Sequence, residues 1–262
     1  MMTRRSFLGA VGSGVAFAAG GHLNIGIGAY TYHNLSVDAM IEQLRALKVK
    51  EIEMSRGDFM NFNKPPVSKF EDFRKKIDAA GVRCVSYYAP TIKTESDLDG
   101  AIRFARVLGC SNITGDPAGP DILKYVDERM TKEGLTFGIH NHYFKNRKFD
   151  YESPEDILKA VSGLSDTVGC TLDLGHIVSC GFDTVDAVRK LGRRLKLVHL
   201  KDVQAAGGEV NVPLGTGLGK IPQVMKELRG IGFKGLVAFE YEKDGDINED
   251  VRRQVEYARR LA

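Results

Sequence analysis

The stretch FGIHNHYFK, residues 137–145, places two of the chain's six histidines, His140 and His142, one residue apart. Imidazole titrates near neutrality and ligates divalent metals, so such a pair can hold a cation, move a proton or do both. Three further short stretches carry related chemistry: DLGH (173–176), HLKD (199–202) and FEYE (239–242). They add Asp173, His176, His199, Lys201, Glu240 and Glu242. Imidazoles and carboxylates converging on one cavity are the usual composition of a divalent-metal site. Whether these residues converge depends on the elements that carry them.

From residue 23 onward, short apolar runs alternate with amphipathic ones. LNIGIGAY (23–30) predicts a strand, and SVDAMIEQLRALK (36–48) predicts a helix with Ser36 as its N-cap. The same reading places later strands at 49–54, 82–89, 111–116, 135–142, 168–175, 196–203 and 234–242, each followed by a helix. The third helix is expected to start at Ser96 and stop at Gly109. The fifth opens on Ser153-Pro154, a cap followed by proline in the first turn. The strands are continuous apolar runs, as parallel strands buried on both faces should be. Eight strands in strict alternation with eight helices predict an α/β fold, a single (β/α)8 TIM barrel over residues 21–262, rather than a doubly wound open sheet.

In such a barrel, chemistry collects at the C-terminal strand ends. Five of the six histidines fall at or just past predicted strand ends: His33, His140, His142, His176 and His199. Glu53, Tyr87, Tyr88, Asp116, Asp173, Lys201, Glu240 and Glu242 occupy the same rim. Two residues apart on a strand, His140 and His142 would point to one side about 7 Å apart. One is therefore expected to bind metal and the other to touch substrate, with the choice between them open. Asn141 is expected to face the helix layer. Tyr30, Tyr32, Tyr87 and Tyr88 suit stacking on a sugar ring and equally suit barrel packing. Lys201 reads as an enolate-stabilising cation or as the salt-bridge partner of Asp202 or Glu240.

DLGH, HLKD, LGTGLGKIP (214–222) and FEYE, in register on successive strands, resemble the xylose-isomerase-like sugar isomerase/epimerase barrels. The resemblance covers the chain beyond its first twenty residues. It implies a divalent cation (Mn, Mg, Co or Zn) held by Asp173, His199, Glu240 and a strand-five ligand, with His176 near the substrate. Where the family often reads Glu-Asn-His on strand five, this chain reads His140-Asn141-His142, similar to an exported bacterial subgroup. The implied metal set is Asp173, His199, Glu240 and one of His140 or His142, with His140 the first choice. The implied acid/base group comprises His142, His176 and Glu242, with Lys201 beside the enolate. Losing the strand-five glutamate puts a symmetric two-carboxylate epimerisation in doubt. The resemblance thus implies proton abstraction beside a carbonyl on a non-phosphorylated sugar or glycoside, 3-keto compounds included. The alternatives are lyase or hydrolase chemistry on a 3-keto-glycoside and a non-catalytic sugar-binding barrel. A homo-oligomer is compatible with the resemblance.

Residues 1–20, MMTRRSFLGAVGSGVAFAAG, carry Arg4-Arg5, then a Gly/Ala-rich apolar stretch and Ala16-Phe17-Ala18. That order predicts a twin-arginine-type signal peptide and a periplasmic mature protein. A sugar phosphate is a cytoplasmic metabolite, so the expected substrate is a non-phosphorylated carbohydrate. With 37 basic and 34 acidic residues the net charge is +3, which gives no electrostatic case for nucleic acid. No later apolar run is long enough to span a bilayer. The four cysteines, Cys84, Cys110, Cys170 and Cys180, are read as small core residues rather than as a disulfide framework.

Overall fold

A computed structural model describes residues 21–262; the predicted leader lies outside the described residues. Eight parallel strands close into a barrel in sequence order. They are β1 (Asn24–Gly28), β2 (Glu51–Met54), β3 (Arg83–Ile92), β4 (Asn112–Pro117), β5 (Thr136–His140), β6 (Val168–Asp173), β7 (Leu195–Leu200) and β8 (Leu236–Phe239). Closure is made by β8 against β1, with Ile25 opposite Val237. No helix among the described residues is long and apolar enough to cross a membrane.

The helices are α1 (Val37–Ala46), α2 (Val67–Ala79), α3 (Glu95–Leu108), α4 (Pro120–Glu133), α5 (Pro154–Ala160), α6 (Leu174–Ser179), α7 (Thr184–Leu191), α8 (Ile221–Gly230) and α9 (Asn248–Leu261). Ser36 caps α1, its hydroxyl accepting from the Ala39 N–H at 3.2 Å. Ser153 caps α5 in a reciprocal box with Asp156, and Pro154 opens the first turn. The cap of α3 is Thr94 rather than Ser96. Asp97 bonds back to the Thr94 N–H and completes a capping box, which Ser96, already inside the helix, cannot form. Gly109 ends α3 at φ 76°, a left-handed conformation that favours glycine.

Five strands end earlier than the apolar pattern predicts, β7 at Leu200 among them, and their ends shape the rim. β1 stops at Gly28, and residues 29–32 wind into a 3₁₀ turn. β5 stops at His140 and β8 at Phe239. β6 stops at Asp173, whose carboxylate Oδ1 accepts the His176 N–H at 2.9 Å and caps α6. That short helix lies between β6 and α7, so the described residues hold nine α-helices, not eight. Cys84, Cys110 and Cys170 are buried and all four thiols are free.

Candidate metal centre

A polar floor crosses the barrel interior beneath the rim. Glu53 on β2 is fully buried, and its Oε1 accepts from Ser86 Oγ on β3 (2.9 Å) and from Thr114 Oγ1 on β4 (2.6 Å). Its Oε2 accepts from His199 Nε2 on β7 at 2.5 Å. That bond holds a proton on Nε2, so Nδ1 is the nitrogen left to face a metal. Burial opposes charging His199, but the Glu240 and Glu53 carboxylates outweigh it and push its pKa up.

Nδ1 of His199 faces a knot of donor atoms. It lies 3.1 Å from His140 Nε2, 3.6 Å from Asp173 Oδ2 and 3.8 Å from Glu240 Oε2. His140 Nε2 is 3.8 Å from Asp173 Oδ2. Four such donors about 2.0–2.2 Å from a shared ion would stand roughly 3.3–3.6 Å apart. His140, Asp173 and His199 are therefore close enough together to face one zinc-sized cation, with Glu240 beside the group on the His199 side. Asp173 adds a second sign. Its Oδ1 is spent on the α6 cap, while its Oδ2 is fully buried and accepts no hydrogen bond. Lys201 Nζ sits 3.0 Å from that oxygen as an ion-pair partner, but off the hydrogen-bonding direction. The Lys201 charge offsets the burial of that oxygen in part, and a metal ion would give it the directed contact it lacks.

Lys201 is buried and pairs with acids of the site rather than with Asp202. Its Nζ is 3.1 Å from Glu240 Oε1 and 2.6 Å from Glu242 Oε1. Burial would lower its pKa, but Asp173, Glu242 and Glu240 together hold it well above the ordinary lysine value. Lys201 in turn holds Glu242 down to about 2, whereas burial pushes Glu240 up to about 7. Asp202 turns away to accept the N–H groups of Gly215, Gly217 and Gly219, fixing the LGTGLG turn.

His142 is off the strand. Past His140 the ladder is replaced by the Asn141 side chain, whose Nδ2 donates to Asp173 O (3.0 Å) and whose Oδ1 accepts the Asp173 N–H (2.8 Å). Asn141 thus ties β5 to β6 instead of facing the helices. The chain bends, and the His140 and His142 rings come to 4.3 Å between centroids, with His140 Nδ1 only 3.1 Å from His142 Nε2. The same Nε2 is 3.0 Å from Asp116 Oδ2 and 3.2 Å from Tyr88 Oη. Asp116, His140 and His142 therefore form a second cluster of potential ligands sharing His140 with the first. His176, from α6, places Nε2 3.8 Å from Asp173 Oδ2, and burial lowers its pKa to about 3.

The eight predicted site residues thus share one rim, and the structure adds Asp116 and Tyr88 to them. His33 stands apart: it stacks on Tyr30 and its Nε2 lies 3.6 Å from Asp244. Tyr32 and Tyr87 are core residues, the Tyr87 hydroxyl donating to Phe59 O. Above the donor knot opens a cleft of about 370 Å³, within the range of small-molecule sites. Its floor is ionic, from His140, His176, His199, Glu240 and Glu242. Its upper wall includes Met60, Phe62, Pro90 and Phe144, loop and strand-end residues that the periodicity had not singled out.

The family model described as xylose isomerase-like TIM barrel matches residues 41–261. No curated protein matches the sequence significantly. Among solved structures, a xylose isomerase domain protein from Planctomyces limnophilus superposes with a TM-score of 0.71 at 17% identity, over 92% of this chain and 98% of that one. A D-psicose 3-epimerase solved with D-fructose gives 0.63 at 16% identity, over 91% and 96%. The IOLI protein with a bound zinc atom gives 0.69 at 15% identity, over 91% and 95%. At these identities the likenesses show the fold alone.

Proposed function

The chain belongs to the xylose isomerase-like TIM-barrel family, and from that premise we propose that it is a divalent-metal-dependent enzyme that abstracts a proton beside a carbonyl of a non-phosphorylated sugar or oxidised glycoside. The observation that carries this reading is the donor knot at the β5–β8 ends, with Asp173 Oδ2, which accepts no hydrogen bond, in its midst. The zinc bound to the IOLI protein and the sugar acted on by the psicose epimerase lend it support.

In this reading His140, Asp173, His199 and Glu240 hold the cation. When bound, a divalent metal supplies Lewis acidity that polarises a carbonyl and acidifies the adjacent C–H. The chain's own groups do the rest. Glu53 keeps His199 Nδ1 aimed inward. Lys201 has three protons and three carboxylate neighbours, so it holds Asp173, Glu240 and Glu242 in place. Glu242, kept ionised by Lys201, accepts from substrate hydroxyls. His176 stays neutral and hydrogen-bonds a hydroxyl without charge. His142, paired with Asp116 at 3.0 Å, carries the abstracted proton, with Asp116 stabilising the imidazolium.

One proton carrier on one side of the substrate suits elimination of a substituent as well as exchange, and His140 in place of a strand-five carboxylate favours it. The test is solvent isotope exchange. Metal-loaded protein in D₂O should place deuterium beside the carbonyl of a 3-keto-glycoside, an aldose or a ketose, read by NMR, and His142→Gln should abolish it. No exchange into any of these, with metal bound, contradicts the reading.

A further inference from the structure

We propose that the cleft selects carbohydrates conjugated to a planar aromatic ring, with Phe62 and Phe144 as the specificity-determining pair. The inference rests on the carbohydrate reading above and adds the identity of the substituent. Phe62 and Phe144 are 56% and 51% exposed, among the most exposed large apolar side chains described, and both line this cleft.

Neither ring is exposed because its loop is loose. Phe62 sits in a one-turn 3₁₀ segment, Asn61–Asn63, between β2 and α2. Its neighbours anchor that turn: Asn61 Nδ2 donates to Thr91 O, Asn63 Nδ2 donates to Gly57 O, and Tyr87 Oη donates to Phe59 O. Phe144 lies in the loop after β5, held by a bridge to Arg147, by the His142 N–H donating to Tyr151 O, and by Tyr151 Oη donating to Pro117 O. The Phe144 ring centroid is 5.6 Å from Phe149 and 6.3 Å from both His142 and His176. The apolar rim is thus continuous with the imidazoles of the floor.

The cleft therefore has two unlike halves. The floor offers imidazoles and carboxylates to a hydroxylated, carbonyl-bearing ring. At the rim, Met60, Phe62, Pro90 and Phe144 offer no side-chain hydrogen bond, and the Ser55 and Tyr88 hydroxyls in the same lining are already engaged, with the Tyr30 N–H and His142. A second sugar unit there would gain nothing from its hydroxyls, whereas a flat aromatic ring would cover exposed phenyl faces and stack on them.

The test compares phenyl with methyl 3-keto-β-glucoside on the metal-loaded protein, reading KM and kcat separately, for wild type, Phe62→Ala, Phe144→Ala and Phe144→Tyr. The expected result is a KM for the phenyl compound about tenfold below that for the methyl compound, with most of that ratio lost in either alanine variant and kept in Phe144→Tyr. Equal KM values in the wild type, or a ratio unmoved by both alanine changes, overturn the inference while leaving the carbohydrate reading intact. No turnover of either compound, together with no binding of either by calorimetry, overturns both.

Discussion

Glu53 and His199, 146 positions apart in the chain, meet at 2.5 Å inside the barrel, each fully buried. The contact decides which imidazole nitrogen of His199 faces the Asp173 and Glu240 carboxylates. A carboxylate that orients a ligating histidine typically contributes 10–100-fold to metal affinity. Glu53→Gln should therefore weaken metal binding by roughly that factor while the far-ultraviolet circular dichroism stays unchanged. Chelator competition measures it; unaltered affinity would mean that His199 is not held as a ligand.

Lys201 is the one lysine among the carboxylates of the donor knot, and Lys201→Met should leave Asp173, Glu240 and Glu242 without it. Removing one partner of a buried pair costs about 3–5 kcal/mol. For a chain of this size that is a fall of roughly 6–20 °C in the melting temperature of the metal-free protein. Added metal supplies the missing positive charge, so the deficit should shrink on loading. An equal fall with and without metal contradicts the holding role given to Lys201.

Metal uptake should depend on pH with a definite sign. Burial pushes Glu240 up to about 7, so in the metal-free protein it is protonated below that value and ionised above it. A carboxylate must lose its proton to ligate. Affinity should thus fall by about one decade per pH unit below neutrality from this group alone. Competition titrations between pH 5.5 and 8 read the slope, and a flat profile would argue against Glu240 as a ligand.

Arg4 and Arg5 precede the described residues, and the assignment of a twin-arginine leader rests on sequence. Replacing both with lysine should retain the protein in the cytoplasm. Fractionation of cells expressing the double variant checks this, and unchanged periplasmic yield by the same route refutes the leader.

Much of this architecture can be read before folding, because parallel strands buried on both faces leave an apolar signature that repeats eight times. The rim residues are legible for the same reason: a polar residue that ends such a run, as Asp173 or His199 does, has few places to go. The geometry between strands is not legible. His140 and His142 look like strand neighbours, and only the Asn141 side chain bonding to the Asp173 backbone shows that β5 has already ended. Glu53 reads as a rim residue, yet its work is done by a contact with a strand far away in sequence. Phe62 and Phe144 sit in irregular segments, where no periodicity marks a side chain as facing a cleft.

The most direct test of the metal centre is the metal content of the untagged protein by mass spectrometry, for wild type and for Asp173→Asn. Asparagine can keep the α6 cap made by Asp173 Oδ1 and loses the charge of Oδ2, so the fold should survive. The account predicts about one Mn, Co, Zn or similar ion per wild-type chain and little in the variant. Equal metal in both proteins, or none in the wild type even after reconstitution, would contradict it.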